Sequence, residues 1–282
     1  MSPESQASEA LPSRRRRTPR GGRHRGDESF LLPPGSPALV LAVPGPARRP
    51  PGAEIAAELA RYVEIEHTGQ PVHVGHLEGD EAHLGAVLSG LRQQRQDEPA
   101  AVVVPLITGP DPAPEAALRE IVAGSPAPAV AAEPLGPHPL IAEALHDRLA
   151  DAGLARADRI RMMTMVTAAS GVIVATPGDA TAVRQAEVTS VLLASRLAAP
   201  VFTAPLDDEA ALKSAAEQLR GSGAAALAVA PHLIGPEADD ERIAAAAAVV
   251  GAGRSAPLGA HPALARLAAL RYVEALSNAL GG

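Results

Sequence analysis

The chain has 282 residues, a formal net charge of −7 and no cysteine, which excludes disulfides, iron–sulfur clusters and thiolate zinc sites. With two Tyr, two Phe and no Trp, the core must be aliphatic, and base stacking on an aromatic platform is excluded. No apolar run reaches about 18 residues, and the N-terminus lacks the apolar segment of a secretory signal. We therefore expect a cytoplasmic protein without a membrane span.

The first 37 residues form a basic arm on an otherwise acidic chain. They are rich in Arg, Pro, Ser and Gly and show no apolar periodicity, which predicts disorder over residues 1–37. Such an arm can bind nucleic acid or fold back loosely on an acidic body. Since a charge run alone is a weak signal, we expect no nucleic-acid partner.

Residues 38–152 alternate strand and helix signals. The segment Ala38–Val43 is continuously apolar and ends at Pro44, which predicts a strand buried on both faces of a parallel sheet. The elements predicted after it are a helix over 52–66, a strand over 71–77, a helix capped by Asp80, a strand over 100–107, a helix through Val122 with Pro114 in its first turn, a strand over 127–132 and a helix over 139–152. This alternation predicts a parallel sheet with right-handed crossovers.

Residues 171–282 repeat this order after a connecting helix predicted over 153–170, where Met162, Met163 and Met165 are expected to be core residues. The predicted strands lie at 171–176, 200–204, 225–230 and 254–256, and the predicted helices at 181–197, 207–220, 238–250 and 261–280.

The repeat is also visible in the residue letters. Three segments match in the same order, 41–45 with 174–178, 104–110 with 230–236, and 134–139 with 257–262. The sequence therefore predicts an α/β protein made by tandem duplication of one parallel βα unit, with two lobes, 38–152 and 171–282, facing a cleft.

Four segments resemble a known family. They are Val74-Gly-His-Leu-Glu78, Val102-Val-Val-Pro-Leu-Ile107, Leu135-Gly-Pro-His-Pro139 and its counterpart Leu258-Gly-Ala-His-Pro262. On these residues the chain resembles the two-domain sirohydrochlorin chelatases of the siroheme and cobalamin pathways. The resemblance covers residues 38–282. It implies a metal-inserting lyase with a tetrapyrrole partner, cobalt or iron as substrate, and no permanently bound cofactor.

The chain departs from that family where chemistry is expected. The family has one histidine after the first strand and another after the third, and imidazole suits both the metal ligand and the base. Here Pro44 stands at the first position, Pro112 or Ala113 at the second, and Pro177 ends the first strand of the second lobe. We therefore assign no catalytic residue and expect weak or lost activity. The alternative is a non-catalytic protein that binds a tetrapyrrole or supports a true chelatase.

Three side chains are candidate metal ligands. His232 follows a strand of the second lobe and is expected to face the cleft, while His76 and Glu78 end the second strand of the first lobe. For His232 the alternative is a hydrogen-bonded structural residue, and for His76 with Glu78 it is a solvated strand end.

Three further side chains are candidate contacts for the carboxylates of the substrate. His138 and His261 open the last helix of each lobe, and helix N-termini favour carboxylates. Arg48 lies just past the first turn and can pair with the same groups. The alternatives are packing at a helix start for the two histidines and solvent exposure for Arg48.

Overall fold

The protein has two lobes with the same order of strands and helices. The computed structural model describes residues 32–47, 52–109, 111–156, 168–178, 180–235 and 239–281. The first lobe consists of β1 (Ala38–Pro46), α1 (Gly52–Tyr62), a π-helical turn (Val63–Thr68), β2 (Val72–Glu78), α2 (Leu84–Ser89), β3 (Ala101–Pro105), α3 (Pro112–Ala123), β4 (Ala129–Ala131) and α4 (Pro139–Asp151). The second lobe consists of β5 (Gly171–Thr176), α5 (Ala180–Leu197), β6 (Val201–Pro205), α6 (Glu209–Gly221), β7 (Leu227–Pro231), α7 (Asp240–Val250), β8 (Gly253–Arg254) and α8 (Pro262–Leu280).

The two sheets are parallel and have the same topology, with strand orders β2-β1-β3-β4 and β6-β5-β7-β8. Their registers also correspond, because Ala42 pairs with Pro105 in the first sheet and Ala175 pairs with Pro231 in the second. Pro44 and Pro177 therefore follow equivalent positions. The predicted duplication of a parallel βα unit is confirmed.

Successive side chains along a strand point to opposite faces of the sheet, and here both faces of each sheet are covered by a core. Leu41 of β1 and Val174 of β5 belong to a central core that lies between the two sheets. Their neighbours Val40 and Ile173 belong to two separate outer cores, which α2 and α3 cover in the first lobe and α6 and α7 in the second. Burial on both faces explains why these strands read as continuous apolar runs.

The last helix of each lobe packs against the other lobe. Helix α8 contacts β3, β4, α1 and the π-helical turn of the first lobe, whereas α4 contacts α5 and β7 of the second. The buried Tyr272 of α8 donates a hydrogen bond to the Pro37 carbonyl (2.8 Å), and burial raises the pKa of its phenol. Arg148 of α4 donates to the Leu258 carbonyl (2.7 Å). Through this exchange of their last helices, α4 and α8, the two lobes share the central core.

The structure corrects the predicted boundary of the basic arm. Residues 32–37 are bound to the first lobe, since the Leu32 N–H donates to the Thr68 carbonyl (3.1 Å) and Gln70 Nε2 donates to the Pro33 carbonyl (2.7 Å). Residues 1–31 and 157–167, which include Met162, Met163 and Met165, lie outside the described residues. The flanking residues 153–156 and 168–170 are not helical, so the helix predicted over 153–170 does not include them.

The start of α2 differs from prediction, whereas Pro114 lies in the first turn of α3 as predicted. His83, not Asp80, caps α2, because its Nδ1 accepts the Gly85 N–H (3.2 Å). Helix α3 begins at Pro112, with Asp111 as its N-cap. Within the described ranges, no helix has the length and apolar character needed to cross a membrane.

Candidate ligand site between the lobes

A cavity of about 370 Å³ lies where the carboxyl ends of strands from both sheets meet. Parallel sheets place their ligand crevices at this end of the strands. The walls come from the ends of β1 and β5, from the segments after β3, β5 and β7, and from the N-terminal parts of α3 and α5. The polar side chains among the lining residues are Thr108, Asp111, Thr176, Thr181, Gln185 and His232. Both lobes therefore contribute to one site.

Backbone hydrogen bonds hold the walls in place. The Leu106 N–H donates to the Ala42 carbonyl (2.8 Å), and the His232 N–H donates to the Ala175 carbonyl (2.7 Å). These two bonds are equivalent in the repeat, so His232 occupies the position in the second lobe that Leu106 occupies in the first. Across the lobes, Thr108 Oγ1 donates to the His232 carbonyl (3.3 Å).

His232 is the candidate metal ligand that the structure brings to the cavity. Its side chain is buried, and neither ring nitrogen has a hydrogen-bond partner among the described residues. Burial lowers the pKa of the imidazole to about 4, so it is neutral at pH 7. Buried polar atoms without partners are rare in folded proteins. The predicted alternative of a hydrogen-bonded structural residue therefore does not describe its ring.

The positions where the resemblance expects histidines do lie on the cavity. Pro44 and, in the first turn of α3, Pro112 and Ala113 line its wall. Their side chains carry no atom that binds a metal or accepts a proton. The nearby Asp111 caps α3, since its Oδ1 accepts the Ala113 N–H (3.3 Å). At the two positions where the resemblance expects a histidine as metal ligand and as base, the cavity wall therefore has proline or alanine.

His76 and Glu78 do not line this cavity. The His76 ring is buried beside the start of α2, and burial lowers its pKa against an opposing hydrogen bond to the Gly45 backbone. Glu78 is exposed at the end of β2. In the part of the chain that the structure describes, no three His, Asp or Glu side chains form a group that could hold a metal ion. The three candidate ligands are therefore not gathered into one site.

His138 and His261 cap the helices that they open. His138 Nδ1 accepts the Leu140 N–H (3.2 Å), and His261 Nδ1 accepts the Ala263 N–H (3.1 Å). Burial lowers the pKa of both, which keeps Nδ1 free of a proton for this role. Neither residue lines the cavity. A contact with substrate stays a prediction for both, and Arg48 lies outside the described residues.

Sequence reasoning missed several cavity residues. Thr176 is the last residue of β5, so the rule that strand ends line the crevice could have found it. Thr108 lies in a matched segment after β3, but the match itself does not say which of its residues face the cleft. Gln185 lies within α5, where no sequence signal distinguishes it from a solvated polar residue.

Comparisons with known proteins agree with this architecture. Residues 39–152 match the model of the CbiX family. The sirohydrochlorin chelatase SirB from Bacillus subtilis subspecies spizizenii, in complex with cobalt, superposes with a TM-score of 0.63 at 15% identity, over 87% of this chain and 97% of that one. SirB from Bacillus subtilis with Fe³⁺ gives a TM-score of 0.61 at 16% identity, over 87% and 98%. No curated protein matches the chain. At these identities the superpositions show a shared fold.

Proposed function

We propose that this chain, in which residues 39–152 match the model of the CbiX family, binds an anionic tetrapyrrole of the sirohydrochlorin class between its lobes and inserts cobalt or iron only slowly. This proposal ties the protein to cobalamin or siroheme synthesis, with the divalent metal as a substrate. Two structures of SirB that share the fold of this chain support the proposal. One is the sirohydrochlorin chelatase SirB in complex with cobalt, and the other is SirB with Fe³⁺.

The observation that carries the proposal is the chemistry of the cavity wall. Insertion requires a ligand for a partly dehydrated ion and a base for the two pyrrole N–H protons. Pro44, Pro112 and Ala113 supply neither. His232, with a pKa of about 4, is a weak base at neutral pH. Loss of a positioned base alone slows proton transfer by about a hundredfold or more.

The size and polarity of the cavity support a tetrapyrrole edge as the ligand. Its volume of about 370 Å³ lies near the lower end of small-molecule pockets, which hold roughly 300–1,000 Å³. Such a cavity accepts one side of a macrocycle and leaves its carboxylates at the mouth. The first turn of α5 supplies Thr181 and Ala182 to the cavity wall, and the N-terminus of a helix favours anionic groups. Arg184 donates to Thr181 Oγ1 (3.0 Å), which places a cation next to that wall.

The sequence candidates have defined parts in this proposal. Arg48 pairs with a carboxylate of the substrate. His138 and His261 use Nδ1 for their caps and do not line the cavity, and His261 Nε2 lies 3.5 Å from Asp147 Oδ2. A contact of either residue with a substrate carboxylate stays a prediction for the part of the macrocycle that extends beyond the cavity. His76 and Glu78 receive the incoming metal ion at the end of β2.

An absorbance titration with sirohydrochlorin, with and without Co²⁺, tests the proposal. We expect saturable binding at micromolar concentration and an insertion rate at least about a hundredfold below that of SirB. Turnover comparable to that of SirB would contradict slow insertion. Absence of binding by the folded protein would contradict the tetrapyrrole as ligand.

The second candidate function is a non-catalytic tetrapyrrole-binding or chelatase-supporting protein, and the loss of both histidine positions favours it. The double variant Pro44→His with Ala113→His separates the two functions. If the cavity is an eroded chelatase site, restoring both imidazoles raises the insertion rate above that of wild type. An insertion rate equal to the uncatalysed one in both proteins favours the binding protein.

A further inference from the structure

Packing does not require an imidazole at position 232. The equivalent residue of the first lobe is Leu106, which is also buried and makes the same backbone hydrogen bond to β1 that His232 makes to β5. Leucine fills this position without leaving a polar atom unpaired. Two ring nitrogens without partners, in a buried side chain at a cavity wall, therefore point to a ligand.

Hydrogen bonds hold the backbone of His232 but not its ring, within the described residues. The backbone N–H donates to the Ala175 carbonyl, and the backbone carbonyl accepts from Thr108 Oγ1 of the other lobe. The ring makes no hydrogen bond within the described residues. A nitrogen of this ring at the cavity wall can therefore bind a ligand without giving up a hydrogen bond within the described residues.

The number of available donors indicates which kind of ligand fits. A free divalent ion takes four or more donors, and no group of three candidate side chains exists in the described ranges. A carboxylate prefers a cation, whereas the low pKa keeps this imidazole neutral. A metal already inside a tetrapyrrole has four macrocycle nitrogens and lacks only an axial ligand. One neutral imidazole is the donor that such a metal takes in haem proteins.

We propose that His232 is the axial ligand of the metallated tetrapyrrole, so that the cavity retains the cobalt or iron form more tightly than the metal-free form. This inference rests on the proposed function, since it needs the macrocycle in the cavity. No proton has to leave the imidazole on coordination at neutral pH, which favours binding. Imidazole also suits both cobalt and iron as a ligand.

The test uses cobalt(II) sirohydrochlorin as the probe and metal-free sirohydrochlorin as the reference, under anaerobic conditions. In wild type we expect the paramagnetic resonance spectrum of cobalt(II) to show splitting by a single axial nitrogen. His232→Leu copies the residue of the first lobe. We expect it to lose that splitting and to bind the cobalt form about tenfold more weakly or worse, with its affinity for the metal-free form unchanged.

Two further variants keep the result interpretable. His146→Leu removes a comparably buried imidazole that does not line the cavity, and we expect it to keep both the splitting and the affinity. If His232→Leu does not fold, His232→Gly takes its place, and added imidazole should restore the nitrogen splitting.

The outcomes distinguish the two proposals. Tight binding of both forms without axial nitrogen splitting in wild type would overturn the role of His232 and leave tetrapyrrole binding intact. Unchanged splitting in His232→Leu would also overturn that role. Failure of wild type to bind metal-free sirohydrochlorin would instead overturn the proposed function.

Discussion

The two lobes share a sheet topology but not the chemistry of their strand ends. Leu106 and Thr108 follow β3, whereas His232 and Ile234 follow β7 at the equivalent positions, and these four side chains are all buried. Along the central strands β1, β3, β5 and β7 the apolar residues are retained in both copies, because the side chains on both faces of these strands are buried in a core. The strand ends face a shared cavity, so the two copies can supply different groups to it. The comparison shows that the scaffold and the site have diverged separately.

Separating the lobes should have the largest effect. A chain of residues 1–156 lacks α8, and with it the burial of Leu264, Leu267 and Tyr272 in the central core. One buried Leu→Ala change typically costs about 2–5 kcal/mol, and a whole domain is stable by only about 5–15 kcal/mol. We therefore expect neither half to unfold cooperatively in urea when it is expressed alone.

The control for this experiment is co-expression. Residues 1–156 and 157–282 produced together should assemble and regain a cooperative transition, because the exchanged helices are then both present. A folded monomer of either half would show that each lobe covers its own sheet.

A matched pair of glycines sharpens the comparison of the lobes. A Cβ on Gly136 would lie 1.9 Å from the Thr108 carbonyl oxygen, whereas on its repeat counterpart Gly259 the nearest atom is Arg148 Nη2 at 3.1 Å. Gly259 has a φ of +61°, a conformation that an L residue adopts at some cost. We expect Gly136→Ala to lower the free energy of unfolding by about 3 kcal/mol and Gly259→Ala by about 1 kcal/mol.

Urea denaturation at constant pH measures both glycine variants. Equal losses would mean that the close approach beneath Thr108 relaxes at little cost. A larger loss of unfolding free energy for Gly259→Ala than for Gly136→Ala would contradict our expectation that the backbone is packed more closely at Gly136.

The smallest effect at neutral pH is expected for His232→Leu, which makes the second lobe resemble the first. Removing two unpartnered nitrogens should stabilise the ligand-free protein by about 1 kcal/mol at pH 7. The effect grows in acid. The folded-state pKa is about 4 against an ordinary 6.5, so below pH 6.5 the unfolded chain binds a proton that the folded chain does not.

The stability contributed by keeping this residue neutral is therefore complete above about pH 6.5 and is lost as the pH falls towards 4. Over that window wild type should lose about 3 kcal/mol more than His232→Leu. Unfolding curves of both proteins at several pH values test this expectation. Parallel pH profiles would mean that the ring is solvated or paired in solution.

Much of the fold could be predicted from the sequence because local patterns determine it. Apolar runs predicted the positions of the central strands β1, β3, β5 and β7, and the repeated Pro-Leu-Gly-x-His-Pro turns predicted where α4 and α8 begin. Asp80 was wrong as the cap because α2 begins at Leu84, four residues after it, and His83 caps the helix instead. A carboxylate near a helix start looks the same in sequence whether or not the chain turns there.

The site could be predicted only in part. The rule that ligands bind at the carboxyl ends of parallel strands correctly predicted that Pro44 and His232 line the cavity, because this rule depends only on the topology of the sheet. The loss of hydrogen-bond partners around His232 depends on side chains that are distant in the chain, and no local pattern reports it. The capping role of His138 likewise depends on which ring nitrogen meets the Leu140 N–H.

The exchange of α4 and α8 has a consequence for how such a site can evolve. A chain with one lobe of this kind would leave the inner face of its sheet bare, and it could complete itself only by pairing with a second copy that lends its last helix. In that symmetric pair any mutation beside the shared cavity would appear twice. Here both copies are joined in one polypeptide, so one gene supplies them in equal number and each position can change alone. Equivalent positions can therefore differ, as Leu106 of the first lobe and His232 of the second do, whereas two identical chains always carry the same residue at both positions.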